Sequence, residues 1–325
     1  MAVPSSTLPD PDVKSGLNYW ANQPANYDGV LGGFGTGSLP RIDALTSRQL
    51  LLYLFPELCT VASTSKPLNR PQRVGDAEPQ RRRTRALDVG AGVGRVTADV
   101  LLHVFDDVLL VEPVDQFIQE AYRRGNASAA PSGDLADANE AEGYSTRWKA
   151  IKEETKSVTF VRSTLQSFEP GRADASAIIG RVGYQPGPPK SAVEGASYED
   201  INSGFDVIWC QWCLGHLSDP ELIQFLGRAV GALRDRNQAA GENPSCIVVK
   251  ENLCRDFGED GVEAESGKRG PRTVFDEEDS SLTRSDLAWK AVFSAAGLTV
   301  VREQLQLGFP EGLYDVKIYV LRPRK

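Results

Sequence analysis

Within nine residues, from Leu87 to Arg95, the chain places an acid (Asp88), three glycines (Gly90, Gly92 and Gly94) and a cation (Arg95). Glycines at a strand-to-helix turn let backbone N–H groups approach a ligand, and the positive end of the helix adds to them. A second acid, Glu112, stands twenty residues beyond Gly92, at the spacing where a carboxylate accepts hydrogen bonds from two ribose hydroxyls. Arg95 offers a cation to a carboxylate. Together these features describe a ligand with an amino-acid head and a ribose. A nicotinamide dinucleotide suits them less, because Gly-x-Gly-x-x-Gly needs glycine at 95, where Arg95 stands, and the third glycine comes one place early at 94.

Other side chains could do chemistry, and each has a plainer alternative. His216 is one of two histidines, the other being His103 in a helical pattern. An isolated histidine is commonly structural, but this one follows the C-terminal end of an expected strand, where α/β sheets bind ligands. The run Asp276 to Asp279 is either a solvated acidic loop ending in a helix cap at Ser280 or Ser281 or a binding site for a cation. Trp20 and Trp212 are core aromatics or the walls of a site. Cys210 and Cys213 form a CxxC without a second pair, whereas a structural zinc needs four ligands.

Alternating strands and helices must position these groups. Short apolar runs at 85–89, 107–112, 158–161, 205–210 and 245–250 read as strands, and 95–105, 115–124 and 219–233 as helices. That order implies a mostly parallel sheet covered on both faces. Segments 298–306 and 314–321, joined by a short Gly/Pro loop, read as an antiparallel pair at the sheet end. Three stretches, at about 60–84, 125–157 and 171–204, are longer than ordinary connections and read as insertions; 140–156 could form a surface helix. The basic run Arg81 to Arg85 ends the first, as a solvated loop or a nuclear import signal.

Composition excludes some classes. With 36 basic and 44 acidic side chains the net charge is −8 and the isoelectric point about 5.1, which argues against a broad basic face for nucleic acid. The first ten residues carry neither a basic nor an apolar targeting region, and no apolar run approaches the roughly 18 residues of a spanning helix. A protein neither secreted nor membrane-bound is expected. Five cysteines, an odd number, suggest reduced thiols in the cytoplasm or nucleus.

Four segments together resemble the α-N-terminal protein methyltransferases, class I AdoMet-dependent enzymes that modify chains beginning X-Pro-Lys or X-Pro-Arg. They are Tyr19-Trp20 with 28–33 (DGVLGG), the glycine loop with Glu112, 206–219 (DVIWCQWCLGHLSD), and Lys250-Glu251-Asn252 with 276–281 (DEEDSS). Glu112 replaces the more usual Asp, and the insertions resemble those of fungal members.

The resemblance implies an α/β class I methyltransferase fold, Rossmann-like, with a mostly parallel seven-stranded sheet, helices on both faces and an antiparallel C-terminal strand pair. A helical extension, 1–58, would cover the substrate cleft, with the catalytic domain at 59–325. Gly90, Gly92 and Arg95 would hold the methionine end of S-adenosyl-L-methionine, Glu112 the ribose, Leu165 and Gln166 the adenine side, and Gln211 would close the pocket. Trp20, Trp212 and Tyr314 would line the substrate channel, Asn252 grip the N-terminal backbone, Asp276 and Asp279 face the third residue, and His216 with Asp279 handle the proton. No metal is needed. Ribosomal proteins are the expected partners, and the enzyme is expected to be a monomer in the cytoplasm and also the nucleus. A small-molecule methyltransferase and a silent AdoMet-binding protein are the rival readings.

Overall fold

The computed structural model describes residues 8–60, 82–130, 148–172, 174–186, 203–235, 243–259 and 269–324. At its centre are five strands: β1 (Arg85–Val89), β2 (Asp107–Val111), β3 (Ser157–Val161), β5 (Val207–Gln211) and β6 (Cys246–Leu253). They run parallel in the order β3-β2-β1-β5-β6. The first four are buried along their whole length, as a sheet covered on both faces requires. Their side chains alternate between two cores, Val108 and Leu110 packing on one side and Leu109 and Val111 on the other.

The expected C-terminal pair is β9 (Leu298–Leu305) and β10 (Asp315–Pro323), antiparallel to each other, with β10 also antiparallel to β6. These seven strands meet the expectation, and an eighth joins them. β4 (Ile178–Gly183) pairs antiparallel with β3 at the far edge, inside a segment the sequence assigned to an insertion. Separately, β7 (Thr273–Asp276) and β8 (Ser281–Arg284) form a hairpin whose turn is the acidic run.

Helices α3 (Leu39–Leu54), α4 (Arg95–Asp99) and α5 (Asp115–Ala129) cover one face, α3 through Leu50, Leu51 and Leu54. Helices α6 (Asp219–Gly231) and α7 (Asp286–Ala295) cover the other through Phe225, Leu226, Trp289 and Phe293. Ser218 and Glu221 start α6 with a reciprocal capping box, satisfying two otherwise orphaned N–H groups. Helices α1 (Val13–Ala21) and α2 (Tyr27–Val30) lie over the glycine-loop end of the sheet, where Leu17, Trp20 and Val30 pack with Tyr27, Val93, Val114 and Phe117.

Three expectations need correction. The helix expected at 95–105 is α4 followed by a separate 3-10 turn, Leu101–His103. Helix α5 continues through 125–129, and 148–156 is a series of turns rather than a surface helix. Trp148 and Ile151 are buried there, Trp148 stacked on Phe160 with centroids 5.7 Å apart. The basic run is not a free cluster either: Arg83 pairs with Asp107 at 2.8 Å, and Arg85 is buried in β1, bonding Ser203. Arg81 and the remaining parts of the three long segments lie outside the described residues.

Candidate active site

Strand order reverses between β1 and β5, so their C-terminal ends open onto the crevice where such sheets take ligands. Gly90 follows β1 with φ +62°, and a Cβ there would lie 2.3 Å from Cβ of Cys213. Gly94 has φ +79°, and a Cβ would lie 2.9 Å from the Trp148 ring. The loop therefore needs glycine both for its turn and for its neighbours.

Glu112 at the end of β2 closes this loop from the side. Its carboxylate accepts the backbone N–H groups of Gly92 and Val114, each at 2.8 Å. Burial nevertheless pushes it up to about 7, with the Asp88 charge adding to the rise. Asp88 accepts the Thr97 hydroxyl at 2.6 Å and is itself pushed to about 6 by burial.

The cation of the loop is part of a buried ionic group. Arg95 bonds Asp43 of α3 at 2.5 Å, Lys250 of β6 pairs with the same carboxylate, and Gln211 Nε2 donates to its two oxygens at 3.0 and 3.1 Å. Burial works to raise Asp43, but the Lys250 and Arg95 charges win and bring it down to about 2. Lys250 also donates to Gln306 at 2.8 Å and Ser47 at 3.2 Å. Burial lowers Lys250 against the pull of Asp43, and Asp99 adds a second acid acting on Arg95.

All seven expected cofactor residues, Gly90, Gly92, Arg95, Glu112, Leu165, Gln166 and Gln211, line one cavity. A second cavity adjoins it, lined by Asn252, Asp279, Phe309 and Tyr314. Trp20, Trp212 and His216 line both. The remaining expected residue, Asp276, is not brought in: it is exposed, and its carboxylate accepts the backbone N–H of Glu278 at 2.9 Å, fixing the hairpin turn.

The turn after β5 is strained where the cavities meet. Trp212 has φ +54°, rare for a large side chain. Glu251 holds it in place, accepting the N–H groups of Cys213 at 2.9 Å and Leu214 at 3.0 Å. Two residues lining the second cavity carry a buried side-chain atom with no hydrogen-bond partner: Nε1 of Trp212, a donor, and Oδ1 of Asp279, an acceptor. Nε2 of His216 accepts the Trp20 indole N–H at 2.9 Å, and burial lowers the affinity of this imidazole for a second proton.

The family model for AdoMet dependent proline di-methyltransferases matches residues 11–133 and 196–322. The chain belongs to this family. The methyltransferase is 31% identical to alpha N-terminal protein methyltransferase 1 of Schizosaccharomyces pombe, across 97% of this chain and 98% of that one. It is 27% identical to human N-terminal Xaa-Pro-Lys N-methyltransferase 1, covering 94% of this chain and 92% of the relative. A SAM-dependent methyltransferase from Leishmania major has the same fold, with a TM-score of 0.55 and 24% identity, covering 95% of this chain and 82% of the other.

The methyltransferase's first cavity fits AdoMet group by group. Arg95, which bonds Asp43 through one guanidinium nitrogen, has further N–H donors for the carboxylate, and the Glu112 oxygens can each accept a further bond from a ribose hydroxyl. Val114, Phe117 and Leu165 line the cavity and would supply apolar walls for adenine, with Gln166 a polar edge. Sequence reasoning missed Asp43, and it singled out Lys250 and Glu251 in the segment with Asn252 without giving them a role. A signal for Asp43 existed: it and Ser47 sit on the stripe of α3 that otherwise carries Leu39, Leu50 and Leu54 into the core, and a polar residue on such a stripe marks a buried partner.

Proposed function

We propose that the enzyme methylates the free α-amino group of proteins that begin X-Pro-Lys or X-Pro-Arg once the initiator Met is removed. The observation that carries this is the unpartnered pair, Asp279 Oδ1 and Trp212 Nε1, on two residues that line the cavity next to the first. A peptide N-terminus has the matching groups, an ammonium that donates and a first carbonyl that accepts. With proline second, the first peptide bond has no N–H left to satisfy. Its ring packs well against indole faces, which Trp20 and Trp212 supply. Asn252 grips the backbone, and the acids of the 276–279 turn favour Lys or Arg in third place.

AdoMet, when bound, supplies a sulfonium methyl group that is transferred in line to nitrogen. The residues need only bring a neutral amine to it. An α-amino group has a pKa near 7.7–8.0, so about 10% is neutral at pH 7, and positioning provides most of the rate. Methylation stops when nitrogen has no lone pair, after two methyls on proline or three on another residue.

We read 1–58 as the lid of the substrate cleft and the monomer as the working unit, since one chain lines both cavities. Substrates would include ribosomal proteins. The working place we infer is the reducing cytoplasm and the nucleus, in keeping with five cysteines that form no disulfide.

The test is a comparison of Ser-Pro-Lys and Ser-Pro-Glu peptides. The account expects kcat/KM for the second to fall on the order of 100-fold, since like charges juxtaposed across an interface cost several kcal/mol. Equal rates would remove the acidic turn from substrate recognition.

A further inference from the structure

His216 is held by helix α1. The Trp20 Nε1–H meets His216 Nε2 at 2.9 Å, with the rings edge to face, centroids 6.2 Å apart and planes at 86°. An indole nitrogen only donates. His216 Nε2 must therefore be bare, and the ring's single proton sits on Nδ1; the Ser280 backbone is a further hydrogen-bond partner of the imidazole. Gly16, four residues before Trp20 on α1, packs on that side, since a Cβ there would stand 3.2 Å from Nδ1. The N-cap residue of α1, Asp12, donates its backbone N–H to Ser280 Oγ at 2.8 Å. Helix α1 thus fixes both the imidazole and the turn that carries Asp279. Asp279 Oδ1, by contrast, is buried and has no partner.

We infer that Trp20 is a positioning residue: its indole N–H fixes His216 as the neutral Nδ1–H tautomer and so assigns the substrate's ammonium proton to Asp279. The proton passes from nitrogen to the Asp279 carboxylate. The freed lone pair forms the N–C bond, and the C–S bond breaks with its electron pair left on sulfur. A transfer to His216 would first require the Trp20 bond to break. The part about the substrate proton rests on the proposed α-amino methylation; the tautomer is a property of the protein alone.

The titratable groups around the imidazole act in opposite directions. Burial disfavours its charged form, while Asp279 of the hairpin turn favours it. Behind Trp20, the Tyr19 phenol is pushed up by burial and by Glu278, Asp279 and Asp276, so it carries no charge at neutral pH.

The chain has two histidines, so nitrogen NMR of the full-length protein labelled at histidine reads His216 directly, with His103, which burial brings down to about 4, as the internal control. The wild type is expected to show the Nδ1–H tautomer between pH 6 and 8. In Trp20→Phe, which keeps a ring but loses the donor, an Nε2–H form should appear and the His216 midpoint rise by roughly 0.4–1 pH unit, the worth of one hydrogen bond, with His103 unmoved. An Nε2–H tautomer in the wild type, or an unchanged His216 in the variant, overturns the inference. Turnover tests the second half: Asp279→Asn should lower kcat more than His216→Gln does, and the reverse order overturns the assignment of the proton. Failure of the wild type to methylate peptides would defeat the proposed function while leaving the tautomer result standing.

Discussion

Glu112 and Asp279 are two acids that line different cavities. Glu112 is fixed by two backbone N–H groups beside the glycine loop, and Asp279 opens onto the adjoining cavity. Replacing Glu112 with Ala should weaken AdoMet by about 1.5–3 kcal/mol, the worth of a hydrogen bond to a charged group. Asp279→Asn should leave AdoMet affinity nearly unchanged while turnover falls on the order of 100-fold, the contribution of a positioned proton acceptor. Calorimetry and initial rates separate the two, and equal losses in both quantities for either variant would contradict the division. At this scale the sequence was informative where a motif fixed the residue's place: Gly90, Arg95, Glu112 and Gln211 all meet in one cavity. It misplaced Asp276 because four acids in a row do not say which of them a hairpin turns inward. The structure turns Asp279 in and leaves Asp276 as the brace of the turn.

Helix α3 does more than cover the sheet. Its Asp43 holds Arg95, Lys250 and Gln211 together, from α4, β6 and β5. Removing one member of a buried ionic group leaves the others charged and unpaired, which typically costs about 3–5 kcal/mol. Asp43→Asn should lose that much stability in urea unfolding and bind AdoMet more weakly, because Arg95 and Gln211 lose their common anchor. A loss under about 1 kcal/mol would show that the group is not holding these elements. The central strands were legible as short Val/Ile/Leu runs because a parallel strand is buried on both faces. β4 was not, because an edge strand interrupted by Gly180 and Gly183 carries little such signal. Those glycines are needed: a Cβ at 180 would lie 2.5 Å from the Tyr122 ring, and one at 183 would lie 2.1 Å from the Lys156 carbonyl oxygen. Trp148 was hidden for another reason. It is a single apolar residue after a polar stretch, and its partners Phe160 and Gly94 are distant in sequence.

Across the whole molecule, the switch point between β1 and β5 sets the cofactor cavity, and helix α1 with the β7–β8 hairpin closes the second cavity against it. A net charge of −8 and an acidic turn at the cavity suit a basic partner, whose approach such a field speeds and whose affinity falls with salt. The central claim is that the methyl acceptor is a protein's α-amino nitrogen. It is tested most directly by mass spectrometry of a Ser-Pro-Lys peptide incubated with the enzyme and AdoMet, beside the same peptide acetylated at its α-amino group. The account predicts successive methyl additions, up to three, on the free peptide and none on the acetylated one. Methylation of both peptides would move the acceptor to the lysine side chain and contradict it.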